Sequence, residues 1–362
     1  MTEPKKLVEM ELLRDRRVQE SEMQQMLDDN RVTPKTELPP MEHLFTLYDK
    51  PCFYRGELVA DCGKAKSGKT FLLSILMACA VKGETLALKR KGDTPLKILW
   101  IDTEQSKHST QDIQVNRIMP LAETDGLNDE LFYAFNLRGM GYDRRRKLVE
   151  FAICQIQPDL VILDGIKDLV TDINDAVQAT MLMEQLMSLA QSANCCIVNV
   201  LHQNKSEADH NMRGSIGTEL TNKAFEVFQC EYSEETDTFK VKHALSRKFR
   251  VKRKMYYTLD DKGLPQECDS PNTQPRDAQG RWISTKQKTE QLKETFRNAM
   301  EGRTQRPYAE VMAVAMKKCG FTEAKAYYAA IDEAVKLGII RTMQHPGTSA
   351  TWVELLDNPL PL

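Results

Sequence analysis

The sequence predicts an α/β protein with a large parallel sheet, followed by a small α+β domain. Between about residues 53 and 260, short apolar segments alternate with amphipathic ones, as in a parallel sheet covered by helices on both faces. A glycine-rich loop follows the first apolar segment directly. The length of 362 residues exceeds one ordinary hydrophobic core, so we expect a domain of roughly 200–250 residues and a smaller one.

Four apolar segments are predicted as strands of the sheet, and three longer segments as the helices between them. The strands are residues 58–60, 97–102, 160–164 and 196–201, and the helices are residues 71–81, 143–155 and 175–192. In parallel sheets the carboxyl ends of the strands face the ligand crevice. The residues that follow each strand are therefore the first candidates for a functional site.

The glycine-rich loop fits the pattern G-x-x-x-x-G-K-[ST]. Its backbone N–H groups would wrap a triphosphate, Lys69 would reach the β- and γ-phosphates, and the Thr70 hydroxyl would hold Mg²⁺. The helix that begins here directs its positive end at the anion. The predicted nucleotide-binding residues are Gly63, Lys64, Ala65, Lys66, Ser67, Gly68, Lys69, Thr70 and Phe71.

Two carboxylates follow later strands. Asp164 closes the strand 160–164, where it would lie beside the Mg²⁺ water shell, unless it only caps a turn. Glu104 lies just past the strand 97–102, where it could orient the attacking water. The residue directly after Asp164 is Gly165, which cannot act as a base, so the base must come from elsewhere in the chain. The alternative for Glu104 is a solvated acid in a loop.

Polar residues also end the fourth strand. His202 and Gln203 could sense the γ-phosphate and move a loop on hydrolysis, with Gln203 as the better candidate. A structural role at the strand end is an equal alternative for His202.

Together these residues resemble the RecA-like ATPase core, and most closely that of the plasmid RepA-type hexameric replicative helicases and their relatives on mobile elements. The resemblance covers about residues 40–265 and also rests on residues 201–205 (LHQNK) and 212–217 (MRGSIG). It implies a homohexameric ring with ATP and Mg²⁺ at each subunit interface. The implied roles are phosphate and metal binding by Lys69 and Thr70, water orientation by Glu104, metal binding through water by Asp164, and coupling to DNA-contacting loops by His202 and Gln203.

Rings of this family place a basic residue of one subunit in the ATP site of its neighbour. By register from Arg213-Gly214-Ser215 this residue is Lys223, with Arg247 and Lys248 as rival candidates. Lysine is a point charge and not a bidentate fork. We therefore expect hydrolysis to be weak or to be stimulated by a partner.

Basic residues are concentrated in residues 240–254, where eight are Lys or Arg and none is acidic. Such a segment attracts phosphate in a chain whose net charge is only -2. The alternative is a solvated strand pair whose apolar side chains, including Ala244 and Phe249, point inward. Single-stranded DNA is the expected form, and residues 204–214 are expected to form a loop that contacts it. The DNA-contact candidates are Lys205, Arg213, Arg250, Lys252, Arg253 and Lys325.

The chain is expected to divide into five segments. Residues 1–39 hold a helix at 5–29 and a linker, and the helix packs either on its own domain or on a neighbouring subunit. Residues 40–265 form the ATPase core, 266–285 a linker, and 357–362 a tail. Residues 286–356 have the outline of a winged helix, with helices at 286–301, 307–319 and 322–337 and then two strands. This domain is expected to bind DNA or to dock a protein.

Composition excludes several classes of protein. The nine cysteines contain no C-x-x-C pair, which argues against a zinc or thioredoxin-like site and favours reduced thiols in a cytoplasmic protein. No apolar run is long enough to cross a membrane, and the N-terminus has no apolar leader.

Three hypotheses for function follow. The first is an ATP-dependent DNA helicase or translocase in replication or mobilisation of a plasmid or mobile element. The second is an ATPase that loads or regulates a replication or recombination complex without unwinding, and the third is an ATP-switched DNA-binding regulator with weak hydrolysis. A primase, relaxase or loader as partner stays open.

Overall fold

The computed structural model describes residues 19–204, 211–271, 285–319, 321, 323–344 and 350–356. The chain forms two compact units, of which one ends at Glu42 and the other begins at His43. In the first unit, residues 19–29 form helix α1. This helix corresponds to the second half of the predicted helix 5–29, and residues 1–18 lie outside the described part.

The second unit contains the remaining elements. The strands in chain order are β1 (His43–Leu47), β2 (Lys50–Tyr54), β3 (Leu58–Gly63), β4 (Glu84–Thr85), β5 (Leu88–Arg90), β6 (Ile98–Asp102), β7 (Phe132–Asn136), β8 (Leu160–Asp164), β9 (Cys196–His202), β10 (Glu226–Ser233), β11 (Thr238–Ser246), β12 (Met255–Leu259), β13 (Pro265–Cys268), β14 (Gln305–Pro307), β15 (Ile340–Gln344) and β16 (Thr351–Leu355). The helices are α2 (Lys69–Lys82), α3 (Lys107–Ile113), α4 (Met119–Leu121), α5 (Tyr142–Ile156), α6 (Ala176–Ser192), α7 (Gly214–Lys223), α8 (Thr285–Met300), α9 (Tyr308–Lys318) and α10 (Ala324–Lys336).

Within the described residues, nine strands form the main sheet in the order β13-β12-β11-β10-β3-β9-β8-β6-β7. The strands from β10 to β7 are parallel, and β11, β12 and β13 continue the sheet in antiparallel fashion. Gly63 lies opposite His202, and Asp102 lies opposite Asp164. The parallel sheet, with the phosphate-loop strand β3 between two other strands, confirms the predicted RecA-like α/β class.

Strands β3, β6 and β8 are buried along their whole length. Such continuous apolar runs are expected of parallel strands with helices on both faces. One core cluster includes Trp100 with residues of α2, and the cluster that includes Leu163 contains residues of α6 and α7. The helix α2 is buried at most of its positions, so the element that follows the phosphate loop is anchored firmly.

Four predicted strands and three predicted helices are present, with ends that shift by up to a few residues. Helix α2 begins at Lys69, and not at residue 71, because the end of the phosphate loop already belongs to the helix. The small sheet β2-β1-β5-β4 was not predicted, and its strands are too short to show a clear alternation. Strand β13 begins at the end of the predicted core and runs into the predicted linker; residues 272–284 of this linker lie outside the described part.

The inward orientation expected for residues 240–254 is correct only in part. Val241 and Val251 are buried, whereas Ala244 is half-buried and Phe249 is 39% exposed. The reason is that β11 ends at Ser246, so the alternation of a strand does not continue through the basic residues.

The C-terminal elements follow the predicted order of three helices and then two strands. Strands β14, β16 and β15 form an antiparallel sheet in that order, and β14 was not predicted. A separate apolar cluster, which includes Phe296, Tyr327 and Val353, holds these elements together. The description as a winged helix stays a prediction. Among all described residues, no helix is both long enough and apolar enough to span a bilayer.

Candidate nucleotide-binding site

The phosphate loop wraps around the ammonium group of its own lysine. Lys69 Nζ donates hydrogen bonds to the carbonyl oxygens of Gly63 and Lys64, at 3.1 and 2.7 Å, and lies 3.2 Å from His202 Nδ1. The lysine is only 7% exposed. Residues 64–71 line one side of a cavity of about 1140 Å³, which is ample for a nucleoside triphosphate.

Two glycines allow the loop to pack against the sheet. A Cβ atom on Gly63 would lie 2.5 Å from the Cys230 carbonyl oxygen, and one on Gly68 would lie 2.6 Å from both the Phe239 ring and the Tyr257 hydroxyl. Gly68 also has a φ of +95°, a left-handed conformation that favours glycine. The rings of Phe239 and Tyr257 stack with centroids 5.0 Å apart. These two rings, from the antiparallel end of the sheet, pack against the loop.

Glu104 lies where the sequence predicts it, in the loop after β6. Its carboxylate is 2.7 Å from Lys167 Nζ and 3.6 Å from His202 Nε2. His202 and then Lys167 lower the pKa of Glu104 to about 2, so the carboxylate is ionised at neutral pH. The backbone N–H groups of Glu104 and Gln105 both donate to Asp102 Oδ1 at 3.0 Å, which fixes the loop.

Asp164 ends β8 and is 3% exposed. Burial, followed by the charges of Asp102 and Glu104, raises the pKa of Asp164 to about 8. Among the described residues, no hydrogen-bond partner reaches its Oδ2 atom. This oxygen lies beside the cavity that Thr70 also lines. A buried carboxylate oxygen of this kind is suited to accept a hydrogen bond from a water molecule bound to Mg²⁺. The role of Thr70 and Asp164 in holding the metal stays a prediction.

The end of β9 lies at the cavity. His202 and Gln203 both line the cavity. Gln203 forms a β-bridge with Met212, and the Asn204 N–H donates to the Asn211 carbonyl oxygen at 3.0 Å. Residues 205–210, which include the DNA-contact candidate Lys205, lie outside the described part. The chain on both sides of residues 205–210 is therefore held beside the nucleotide site.

None of the three candidates for the trans-acting cation lines the cavity of its own chain, as far as the described residues show. Lys223 is the last residue of α7. Arg247 donates to the Asn222 and Ala224 carbonyl oxygens at 2.7 and 3.3 Å, and so caps the C-terminus of the same helix. Lys248 lies over the Tyr54 ring, 5.1 Å from its centroid.

The remaining DNA-contact candidates lie in three different places. Arg213 is exposed at the start of α7, and its N–H donates to the His202 carbonyl oxygen at 3.0 Å. Arg250 and Lys252 are exposed, and Arg253 stacks on Tyr48 with its guanidinium 3.9 Å from the ring centroid. Lys325 belongs to α10.

Two site residues carry no signal in the sequence. Lys167 follows β8 by three positions and contacts Glu104, and Arg117 lies over the Phe71 ring at 4.0 Å in the wall of the cavity. Both are brought to the site only by the fold, because neither belongs to a recognised motif. Arg117 follows α3 in a π-helical turn, Gln114–Ile118, a feature that often marks functional sites.

The chain was compared with known proteins. Among solved structures, the chain is similar to a KaiC-like protein from the hyperthermophilic archaeon Pyrococcus horikoshii OT3, with 11% identity, 60% of this chain and 91% of that chain covered, and a TM-score of 0.44. No curated protein matches the sequence. A family model described as an AAA domain matches residues 19–208, just over half of the chain. On that match, the chain belongs to the AAA domain family.

Proposed function

We propose that the protein is an ATP-dependent DNA motor, a hexameric helicase or translocase that acts in replication or mobilisation of a plasmid or mobile element. The observation that carries the proposal is the course of β9. His202 at its end lies between Lys69 and Glu104, and the next residue, Gln203, forms a β-bridge with Met212, which follows residues 205–210 in the chain. One strand therefore joins the site of hydrolysis to the segment with the DNA-contact candidates Lys205 and Arg213.

The hydrolytic step follows from the positions of three side chains. Glu104 is ionised and can accept a proton from the attacking water, while Lys69 neutralises charge that develops on the β- and γ-phosphates. His202 contacts both residues, so a change at the γ-phosphate would reach β9 directly. Mg²⁺, held by Thr70 and through water by Asp164, would supply further charge neutralisation on the phosphates.

The trans-acting candidates support an oligomer. Lys223, Arg247 and Lys248 lie outside the cavity of their own chain, so they would serve the ATP site of a neighbouring subunit. Arg250, Lys252 and Arg253 continue the same basic segment, and Arg250 and Lys252 are exposed, as contacts to DNA phosphates require. A homohexamer would bring these groups together around single-stranded DNA.

One series of measurements tests the proposal. Steady-state ATP hydrolysis is measured with and without single-stranded DNA, and strand displacement is measured on a forked duplex. We expect DNA to stimulate turnover, ATP to drive displacement, and native mass spectrometry to show a hexamer. The variant Glu104→Gln should bind ATP and lose both activities. ATP turnover without strand displacement would contradict the helicase function. A protein that stays monomeric with ATP and DNA would contradict the proposed ring.

A second candidate is a cytoplasmic ATPase that loads or regulates a replication or recombination complex without unwinding. Two observations favour it. The position that the resemblance to replicative helicases assigns to the trans-acting basic residue is occupied by a lysine, Lys223, and the guanidinium of Arg247 is engaged by carbonyl oxygens at the end of α7. In this case a primase, relaxase or loader would stimulate hydrolysis, and the C-terminal domain with Lys325 would dock that partner or bind DNA. ATP turnover that depends on a partner, with no displacement, would identify this function.

A further inference from the structure

The carboxylate of Glu104 is held by a lysine from the turn after β8. Lys167 Nζ lies 2.7 Å from Glu104 Oε1, within hydrogen-bond distance. We propose that Lys167 is a positioning residue for hydrolysis. It binds one carboxylate oxygen of Glu104 and thereby orients the other oxygen toward the attacking water. The inference rests on the proposed role of Glu104 as the base.

The turn that carries Lys167 is fixed from both sides. This 3₁₀ turn, Ile166–Leu169, follows β8 directly. The Thr103 hydroxyl lies 2.8 Å from Asp168 Oδ2 and 3.0 Å from the Asp164 carbonyl oxygen. Arg145 of α5 donates to the Asp168 carbonyl oxygen at 3.1 Å. Lys167 therefore extends from a rigid base, which a group that orients another side chain requires.

Gly165 allows Glu104 to approach this turn. Its φ is +115°, and a Cβ atom there would lie 2.8 Å from Glu104 Cγ and 2.8 Å from Thr103 Oγ1. Any larger residue would push the Glu104 side chain away from the turn and from Lys167. The glycine after Asp164 thus has a positive role, because it leaves room for the carboxylate.

The two oxygens of Glu104 have different surroundings. Oε1 is bound by Lys167, whereas Oε2 lies 3.6 Å from His202 Nε2, and His202 Nδ1 lies 3.2 Å from Lys69. Oε2 is therefore on the side of the phosphate loop. Among the described residues that line the nucleotide cavity, Glu104 is present and Lys167 is absent. Lys167 would consequently act through Glu104 and not by touching the nucleotide.

A double-mutant cycle tests the proposal. Lys167→Ala, Lys167→Arg, Glu104→Gln and the double variant Glu104→Gln/Lys167→Ala are compared in ATP turnover, with single-turnover kinetics for the slow variants. We expect Lys167→Ala to lower kcat about tenfold or more while KM for ATP and the affinity for a fluorescent ATP analogue change less than about twofold. Lys167→Arg should recover most of the rate, since it keeps the cation. In the Glu104→Gln background, Lys167→Ala should cost nothing further.

A matched control is available on α5. Lys147 also makes an ion pair, with Asp143 at 2.9 Å, but both side chains are exposed and remote from the cavity lining. Lys147→Ala should leave kcat unchanged. A loss that resides in KM, or that persists fully in the Glu104→Gln background, would overturn the positioning role, as would an unchanged kcat in Lys167→Ala. A wild-type protein without ATP turnover would instead overturn the proposed function, and this inference with it.

Discussion

The hydroxyl group of Tyr257 donates a hydrogen bond to the carbonyl oxygen of Gly68 across 3.2 Å. Both residues are buried, and they lie 189 positions apart in the chain. Tyr257 belongs to β12, at the antiparallel end of the sheet, whereas Gly68 is the residue just before α2. The conformation of the phosphate loop therefore depends on a strand that is distant from the loop in the sequence.

Replacement of Tyr257 by Phe should weaken nucleotide binding. The change keeps the ring stacked on Phe239 and removes one of two hydrogen bonds to the Gly68 carbonyl oxygen, which still accepts from the Leu72 N–H at 3.0 Å, so the cost is about 0.5–1.5 kcal/mol. We expect a lower free energy of unfolding in urea and a several-fold weaker affinity for a fluorescent ATP analogue. Tyr256→Phe, one position earlier in the same strand, is the control. Equal stability and affinity in both variants would show that the hydrogen bond is unimportant.

Replacement of Gly68 by Ala should be more damaging, for two separate reasons. The positive φ costs about 1–2 kcal/mol for a residue with a Cβ. The Cβ would also lie 2.6 Å from the rigid ring of Phe239, and overpacking of this kind adds about 1–3 kcal/mol.

Gly56→Ala isolates the first of these effects. Gly56 has a φ of +74° but nothing within 4 Å of the added Cβ. Thermal or urea unfolding should therefore show a clearly larger loss for Gly68→Ala than for Gly56→Ala. Similar losses would mean that the rings of Phe239 and Tyr257 move to accommodate the extra methyl group.

The sequence is sufficient to predict the residues that lie next to motifs and strand ends. Lys69, Glu104 and Asp164 each follow a strand closely, and parallel strands bring such positions to one edge of the sheet. Lys167 and Tyr257 could not be predicted in the same way. Lys167 reaches Glu104 through a particular turn, and Tyr257 reaches Gly68 through strand pairing across most of the core.

The same distinction applies to the fold. Strands β3, β6, β8 and β9 are apolar along most of their length and were predicted, because burial on both faces leaves a strong pattern, whereas the parallel strands β7 and β10 were not predicted. The sheet β2-β1-β5-β4 and strand β14 are short, and two or three residues carry no readable periodicity. The basic residues after Ser246 also escaped prediction in detail, because the end of β11 is set by pairing with β10 and not by composition.

Binding of Mg²⁺ with ATP should release a proton near neutral pH. The pKa of Asp164 is raised to about 8, so at about pH 7 the carboxyl group is mostly protonated in the free protein. A metal water shell favours the carboxylate, so binding removes the proton, and Mg²⁺-dependent affinity should rise with pH up to about 8.

Calorimetry checks this expectation. The heat of binding at about pH 7 is measured in two buffers with different ionisation enthalpies, and the difference gives the number of protons released. Asp164→Asn, and titration of ATP in the presence of EDTA, should each reduce that number. Identical heats in the two buffers for the wild-type protein would contradict the assignment of Asp164 to the metal.

Stability should also depend on pH through Glu226, which begins β10 and does not line the nucleotide cavity. Glu226 Oε2 accepts a hydrogen bond from the Phe53 N–H at 2.6 Å, and Oε1 lies 3.4 Å from His243 Nε2. Since His243 Nδ1 accepts from the Val251 N–H, a neutral His243 carries its proton on Nε2, which faces Glu226 Oε1 without a hydrogen bond. Among the described residues, the Phe53 N–H is therefore the one donor that this carboxyl group binds.

Burial raises the pKa of Glu226 from 4.5 to about 7. Between these values the folded protein holds a proton that the unfolded chain has lost, so this group makes the free energy of unfolding fall as pH rises. In Glu226→Gln the amide keeps a carbonyl oxygen for the Phe53 N–H and resembles the protonated carboxyl group, so stability at about pH 5 should change little. The variant loses the titration, so by about pH 8 it should be more stable than the wild type, in which the buried carboxyl group has to ionise. Urea unfolding at both pH values measures the two differences, with Glu150→Gln on the exposed face of α5 as the control. A difference between variant and wild type that is equal at both pH values would show that Glu226 does not titrate between them.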